Sequence, residues 1–181
     1  MLRESDGTFR CRECGFRYAL TGSSIAETCG RAMPQVREAA LAVPDERRAH
    51  RVAPAVWSPN AYCAHLADAS ELIEGRVRRI ASEDRPFLEG YDQDAAAERG
   101  RFDEVPVEPS LRRMEVAVGR SVELIGALPE DAWGRVGVHE EAGEIVLRDI
   151  AHDMPHELLH HTGDLRRLGD ELRSQVVRRE A

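Results

Sequence analysis

The stretch Leu147–Leu172, LRDIAHDMPHELLHHTGDLRRLGDEL, decides how this chain reads. It has the pattern of one long helix, and it holds four of the chain's 7 histidines. At about 100° per residue, Leu147, Ile150, Ala151, Met154, Leu158, Leu165 and Leu168 fall on one apolar stripe. His161 lies inside that stripe, and Glu157 lies at its edge, one turn earlier. His156 and His160 share the same i, i+4 spacing, but their phase turns them to the far side with Asp149 and Asp153. The inward pair is therefore Glu157 and His161. Pro155 predicts a kink, because a proline deletes one helical hydrogen bond. Leu158, His161, Leu165 and Leu168 all follow it and keep a common phase.

A carboxylate and an imidazole on an apolar face must be neutralised, paired or bound to metal, since an unpaired buried charge is costly. Two side chains at i, i+4 on one helix can chelate one ion. A third ligand has to come from elsewhere.

Ser58-Pro59 marks the start of another helix, with Ser as N-cap and Pro at the first helical position. It runs to about Ala81, and its stripe is Tyr62, Leu66, Ala69, Leu72, Ile73, Val77 and Ile80. His65 falls within it. Taken alone, His65 reads as a hydrogen-bonded core residue. Together with Glu157 and His161 it completes three inward-facing ligands on two helices, the pattern of an open zinc site. Asp164 and Asp68 each stand three residues after a proposed His ligand. Each is a candidate to take the N–H of the ligand ring that the metal leaves free. Arg76 also has inward phase, but its distance from His65 suggests that it snorkels out at the bundle end.

Two further helices complete the set. Residues 23–43 carry Ile25, Cys29, Met33, Val36, Ala40 and Val43 at helical spacing, bent or split at Pro34. Residues 109–128 carry Leu111, Met114, Val118, Val122, Ile125 and Leu128. Between them, residues 82–108 read as a long acidic connection covering a site, with Phe87, Tyr91 and Phe102 folding back. The glycines at 134, 137 and 143 bracket short apolar runs, which predicts a small hairpin with a solvated His139. The fold expected is all-α: a four-helix bundle with one long crossover.

The first residues form a separate unit. Cys11-x-x-Cys14-Gly15 has the shape of half a zinc-ribbon knuckle. No second CxxC follows, so the sequence reads as a reduced dithiol in a knuckle-shaped remnant, with a bound metal as the alternative. The expected organisation is a knuckle at 1–20, the bundle at 21–175 and a frayed tail at 176–181.

Composition narrows the class. With 32% charged and 5% aromatic residues, the chain suits an aliphatic helical core. The net charge of -8 argues against a nucleic-acid partner. No apolar run approaches the roughly 18–20 residues that span a bilayer. The first residues lack the apolar core of a signal peptide, so a soluble, cytoplasmic protein is expected. Four irregularly spaced cysteines then mean thiols or metal ligands.

Three segments carry a family resemblance: VWSPNAYCAHLAD (56–68), DAWGRVG (131–137) and HELLHHTGDL (156–165). Together they resemble the DinB-like/YfiT-like metalloenzyme superfamily, over roughly residues 23–170. Most members carry three His ligands. One branch, the mycothiol-dependent maleylpyruvate isomerases and related thiol S-transferases, uses His, Glu and His, and this chain is similar to that branch. The resemblance implies His65, Glu157 and His161 as ligands, with His156 and His160 as a competing pair. It further implies zinc or another divalent ion such as nickel, mycothiol as co-substrate, an electrophile as second substrate and a homodimer. The reacting group implied is a metal-bound thiol or water, with the catalytic side chains unknown; the alternative is a non-catalytic metal-binding or stress-responsive bundle.

Overall fold

The computed structural model describes residues 1–180, and side chains as far as Ser174. The expected frayed tail at 176–181 therefore falls outside the described side chains. Four long helices form the bundle: α1 (Gly22–Leu41), α2 (Pro59–Ser82), α4 (Val107–Gly126) and α5 (Leu147–Glu180). A short α3 (Gln93–Arg99) lies between α2 and α4.

Local chemistry sets the helix starts. Ser58 accepts a hydrogen bond from the Ala61 N–H at 3.1 Å and Pro59 follows it, as the sequence predicts. Thr21 caps α1 and Asp92 caps α3 in the same way. Both α1 and α5 run unbroken through their prolines, Pro34 and Pro155.

Packing follows the predicted stripes. Leu147, Ile150, Ala151, Met154, Leu158, Leu165 and Leu168 of α5 are all buried. They meet Ile25, Cys29, Val36 and Ala40 of α1 and Leu66, Ile73, Val77 and Ile80 of α2 in one core, with Leu111, Met114, Val118 and Ile125 of α4. Helix α1 packs on α4 and α5, and α2 packs on the same two. Thus α1 and α2 stand at opposite corners, and so do α4 and α5. The chain crosses a diagonal between α1 and α2 and again between α4 and α5. This arrangement makes α2 and α5 neighbours, although more than sixty residues separate them.

The connections hold more structure than predicted. Besides α3, the segment 82–108 contains a two-residue strand, β3 (Phe87–Leu88). Strand β3 pairs in parallel with β4 (Val136–His139), and β4 pairs antiparallel with β5 (Gly143–Val146) to give the expected hairpin. Gly137 is needed there, because a Cβ would meet Ile80 and Leu88 side-chain carbons at 3.0 Å. Of the three aromatics expected to fold back, Phe102 is buried on Ala61, Ala64 and Ala97 and Tyr91 is half-buried, but Phe87 is exposed.

At the N-terminus, β1 (Leu2–Arg3) and β2 (Phe9–Arg10) pair antiparallel and lead into the CxxC turn. This head lies on α5. The Leu20 N–H donates to His152 Nε2 at 2.8 Å, and Tyr18 donates to Asp153 at 3.0 Å. His152 is buried and its Nδ1 meets the Arg148 carbonyl at 2.7 Å, so it is a structural residue.

Candidate metal centre

Neighbouring α2 and α5 bring His65, Glu157 and His161 together. Glu157 Oε2 lies 3.2 Å from His65 Nε2 and 3.3 Å from His161 Nε2. One ligand atom from each of the three lies within 4.8 Å of the others. Two ligands about 2.0–2.1 Å from a tetrahedral ion stand about 3.3 Å apart, so these distances suit a single ion. One carboxylate and two imidazoles are also a suitable donor set for a divalent metal. The side chains are 3%, 23% and 12% exposed for His65, Glu157 and His161, so the trio is sheltered but reachable at the carboxylate.

The rings are held from behind. Asp164 Oδ2 lies 2.7 Å from His161 Nδ1, and Arg167 pairs with the other Asp164 oxygen. This leaves His161 Nε2 toward Glu157, the role expected of Asp164 from its spacing. Asp68 does not do the same for His65. Its carboxylate turns to Arg113 on α4 at 2.8 Å, because a guanidinium on the adjacent helix offers a stronger partner. His65 Nδ1 is buried with no hydrogen-bond partner among the described residues. Trp57 and Tyr62 pack their rings against His65 and His161 at 5.0 and 5.4 Å.

Electrostatics favours a charged cluster in the metal-free protein. Burial works against the Glu157 charge, yet hydrogen bonds from His156, His161 and His65 outweigh it and hold the carboxyl far below its usual range. Burial likewise opposes charge on His161, but Asp164 and Glu157 push it up to about 9. A metal must displace that proton. We expect apparent metal affinity to rise about tenfold per pH unit and to level off above about pH 9, checked by competition with a chromophoric chelator. The stability of the metal-free form runs the other way. The His161 contribution is fully present below its unfolded pKa of about 6.5 and is lost as pH rises through about 9.

A cavity of about 340 Å³ opens beside the trio, within the range of small-molecule sites. His65 and Glu157 line it with Tyr18, Tyr91, Asp153 and Arg76. Arg76 does not simply snorkel out. Its guanidinium donates to the Glu89 carbonyl at 2.6 Å and lies 3.1 Å from His139 Nε2, so β3 and β4 fold it back over the cavity. His139, expected to be solvated, is held there too. The Glu141 N–H also donates to its Nδ1 at 3.2 Å. Burial pushes the Asp153 carboxyl up to about 6 against the hydrogen bond from Tyr18. Asp153 and Tyr18 carry no signal for this site in the sequence, because helix phase turns Asp153 outward and the head that covers it is remote in the chain.

The competing pair is likewise not turned to solvent. His156 and His160 lie beneath the head, with Phe16 and Tyr18 rings 5.7 and 5.5 Å from His156. They do not form a trio with His65; they group with Cys11 and Cys14.

The model of the DinB superfamily matches residues 31–165, three quarters of the chain. The chain belongs to the DinB superfamily. Two solved proteins share its fold. YfiT from Bacillus subtilis, described as a probable metal-dependent hydrolase with an unusual four-helix bundle topology, superposes with a TM-score of 0.73 at 18% identity. That match covers 89% of this chain and 93% of YfiT. The mycothiol-dependent maleylpyruvate isomerase superposes with a TM-score of 0.65 at 14% identity, over 81% of this chain. A histidine-to-alanine variant of it gives 0.66 at 12%. The DinB chain spans 61% of the isomerase's length, so the isomerase has substantial structure beyond the shared bundle. At these identities the likeness is one of fold. No curated protein matches the sequence. Among the described residues, no helix is long and apolar enough to cross a membrane.

Proposed function

We propose that this DinB member is a divalent-metal-dependent enzyme that transfers or isomerises through a low-molecular-weight thiol such as mycothiol. The observation that carries the reading is the convergence of His65, Glu157 and His161 beside a cavity that His65 and Glu157 line. A purely structural metal site would not need a ligand-sized cavity beside it.

His65, Glu157 and His161 are the proposed ligands, zinc or nickel the proposed ion, and Asp164 orients His161. When bound, the ion supplies Lewis acidity that lowers the pKa of a thiol or water at its open position. The chain's own residues do the rest. Arg76 offers the cavity a guanidinium that can grip an anionic part of the thiol or the electrophile. Asp153, with a carboxyl at about 6 and Tyr18 bonded to it, can exchange a proton near neutrality. Trp57 and Tyr62 shield the ligand rings from water.

Asp164→Ala is expected to weaken metal binding about 10–100-fold while leaving the three ligands in place. Isothermal titration of the metal-free protein checks this. A drop below about threefold would mean that Asp164 only anchors Arg167.

The activity test follows both loss of free thiol and thiol-dependent product formation by the zinc- or nickel-loaded chain across a panel of electrophiles and isomerisable substrates, with mycothiol, glutathione and cysteine as thiols. Turnover that vanishes in His65→Ala supports the reading. A fully loaded protein that neither consumes thiol nor forms a thiol-dependent isomer with any pair overturns it. The near full-length likeness to YfiT favours one other reading, metal-dependent hydrolysis with water at the open position. Ester and amide cleavage without added thiol would select it.

A further inference from the structure

The CxxC turn finds its missing half on α5. Gly15, at φ +74°, lets the chain reverse. The Gly15 N–H then donates to the Cys11 carbonyl at 3.1 Å, and the Cys11 N–H donates to the Phe16 carbonyl at 2.9 Å. This closes a knuckle that aims both thiols the same way. What they face is the i, i+4 pair His156 and His160, whose ring centroids are 5.3 Å apart. Cys11 Sγ lies 3.7 Å from His160 Nδ1. One ligand atom from each of the four residues lies within 4.8 Å of all the others.

We propose that Cys11, Cys14, His156 and His160 form a second, structural zinc site that fastens the N-terminal head to α5. Two thiolates and two imidazoles make a closed tetrahedral set with no position left for substrate. The outer contacts fit this assignment. His156 Nε2 is buried with no hydrogen-bond partner among the described residues, while Nδ1 lies 3.5 Å from Glu157 Oε1. His160 Nε2 lies 3.4 Å from Glu13 and 3.7 Å from Asp164, which leaves Nδ1 for the metal. Carboxylates thus lie near the far nitrogen of both rings, on the side where a histidine ligand takes its outer partner.

A metal would add to the two hydrogen bonds by which Tyr18 and Leu20 tie the head to α5. The head's secondary structure is two strands of two residues each, and segments this small rarely hold a fold without a staple. The consequence reaches the cavity at the first site, because Tyr18 and Met1 of the head form part of its wall. Binding releases the thiol protons, and the two thiolates balance the charge of the ion.

The site is separable from the thiol-transfer reading, since neither cysteine belongs to the His65 trio. The test uses the full chain, purified without a tag, stripped of metal and titrated with zinc. Wild type is expected to take up about two ions per chain. Cys11→Ser/Cys14→Ser and His65→Ala should each take up about one, from different sites. With cobalt, His65→Ala should show a thiolate-to-metal charge-transfer band that the double serine variant lacks. A readout free of substitutions guards against misfolding. In wild type, zinc should slow iodoacetamide alkylation of Cys11 and Cys14 about tenfold or more, and a chelator should restore it. Alkylation indifferent to zinc overturns the proposal. So does cobalt uptake without the charge-transfer band, or a Cys11–Cys14 disulfide that takes up no zinc after reduction.

Discussion

Glu157→Ala is expected to lower metal affinity at the site between α2 and α5 by more than about a hundredfold. Loss of an outer partner already costs about 10–100-fold, and Glu157 is a proposed ligand, not a support. It is also the hub of the cluster: Oε2 faces His65 and His161, and Oε1 faces His156. Removing it leaves two imidazoles on different helices with nothing between them. Elemental analysis and chelator competition measure the loss. In the Cys11→Ser/Cys14→Ser background the same substitution isolates the first site. Metal retained there with unchanged affinity would mean that the histidines bind by another arrangement.

The second large effect is on stability. Leu158→Ala should destabilise the protein by about 2–5 kcal/mol, the range for a Leu truncated in a rigid core. Leu158 is fully buried in the core that joins α1, α2, α4 and α5. Four helices meet around it, so the space left cannot close without shifting whole helices. At about 2–4 °C per kcal/mol for a chain of this size, the midpoint should fall by about 4–20 °C. Denaturant unfolding of the metal-free form measures it without linkage to bound ion. A change below about 1 kcal/mol would mean that the core around α5 relaxes far more than its burial suggests.

Helix phase was the most legible part of the sequence. The stripe on α5 and the Ser58-Pro59 start of α2 place His65, Glu157 and His161 on faces that meet, and they meet in the structure. Phase is blind in one respect. It reports which side of a helix faces the bundle, not what else covers the other side. His156, His160 and Asp153 read as outward for that reason, because the residues that cover them come from the first twenty of the chain. Tyr18 and the CxxC turn reach them across more than 130 residues of sequence.

The other departures have similar causes. Helix α3 spans seven residues, too few to display a period, although Asp92 and the run Ala95-Ala96-Ala97 were signs of a capped helix. Strand β3 exists because β4 pairs with it, and two residues carry no alternation to read. Asp68 has the same spacing from His65 that Asp164 has from His161. Arg113 on α4 claims it instead, and spacing along one helix cannot report a partner on the next.

An anomalous-difference map at the zinc edge, from crystals of the untagged full chain grown with zinc, locates the ion between α2 and α5. A peak is expected among His65 Nε2, Glu157 Oε2 and His161 Nε2, with its open side toward Arg76 and Asp153. A map with no peak among those three atoms, in a protein that nevertheless carries zinc, would contradict that placement.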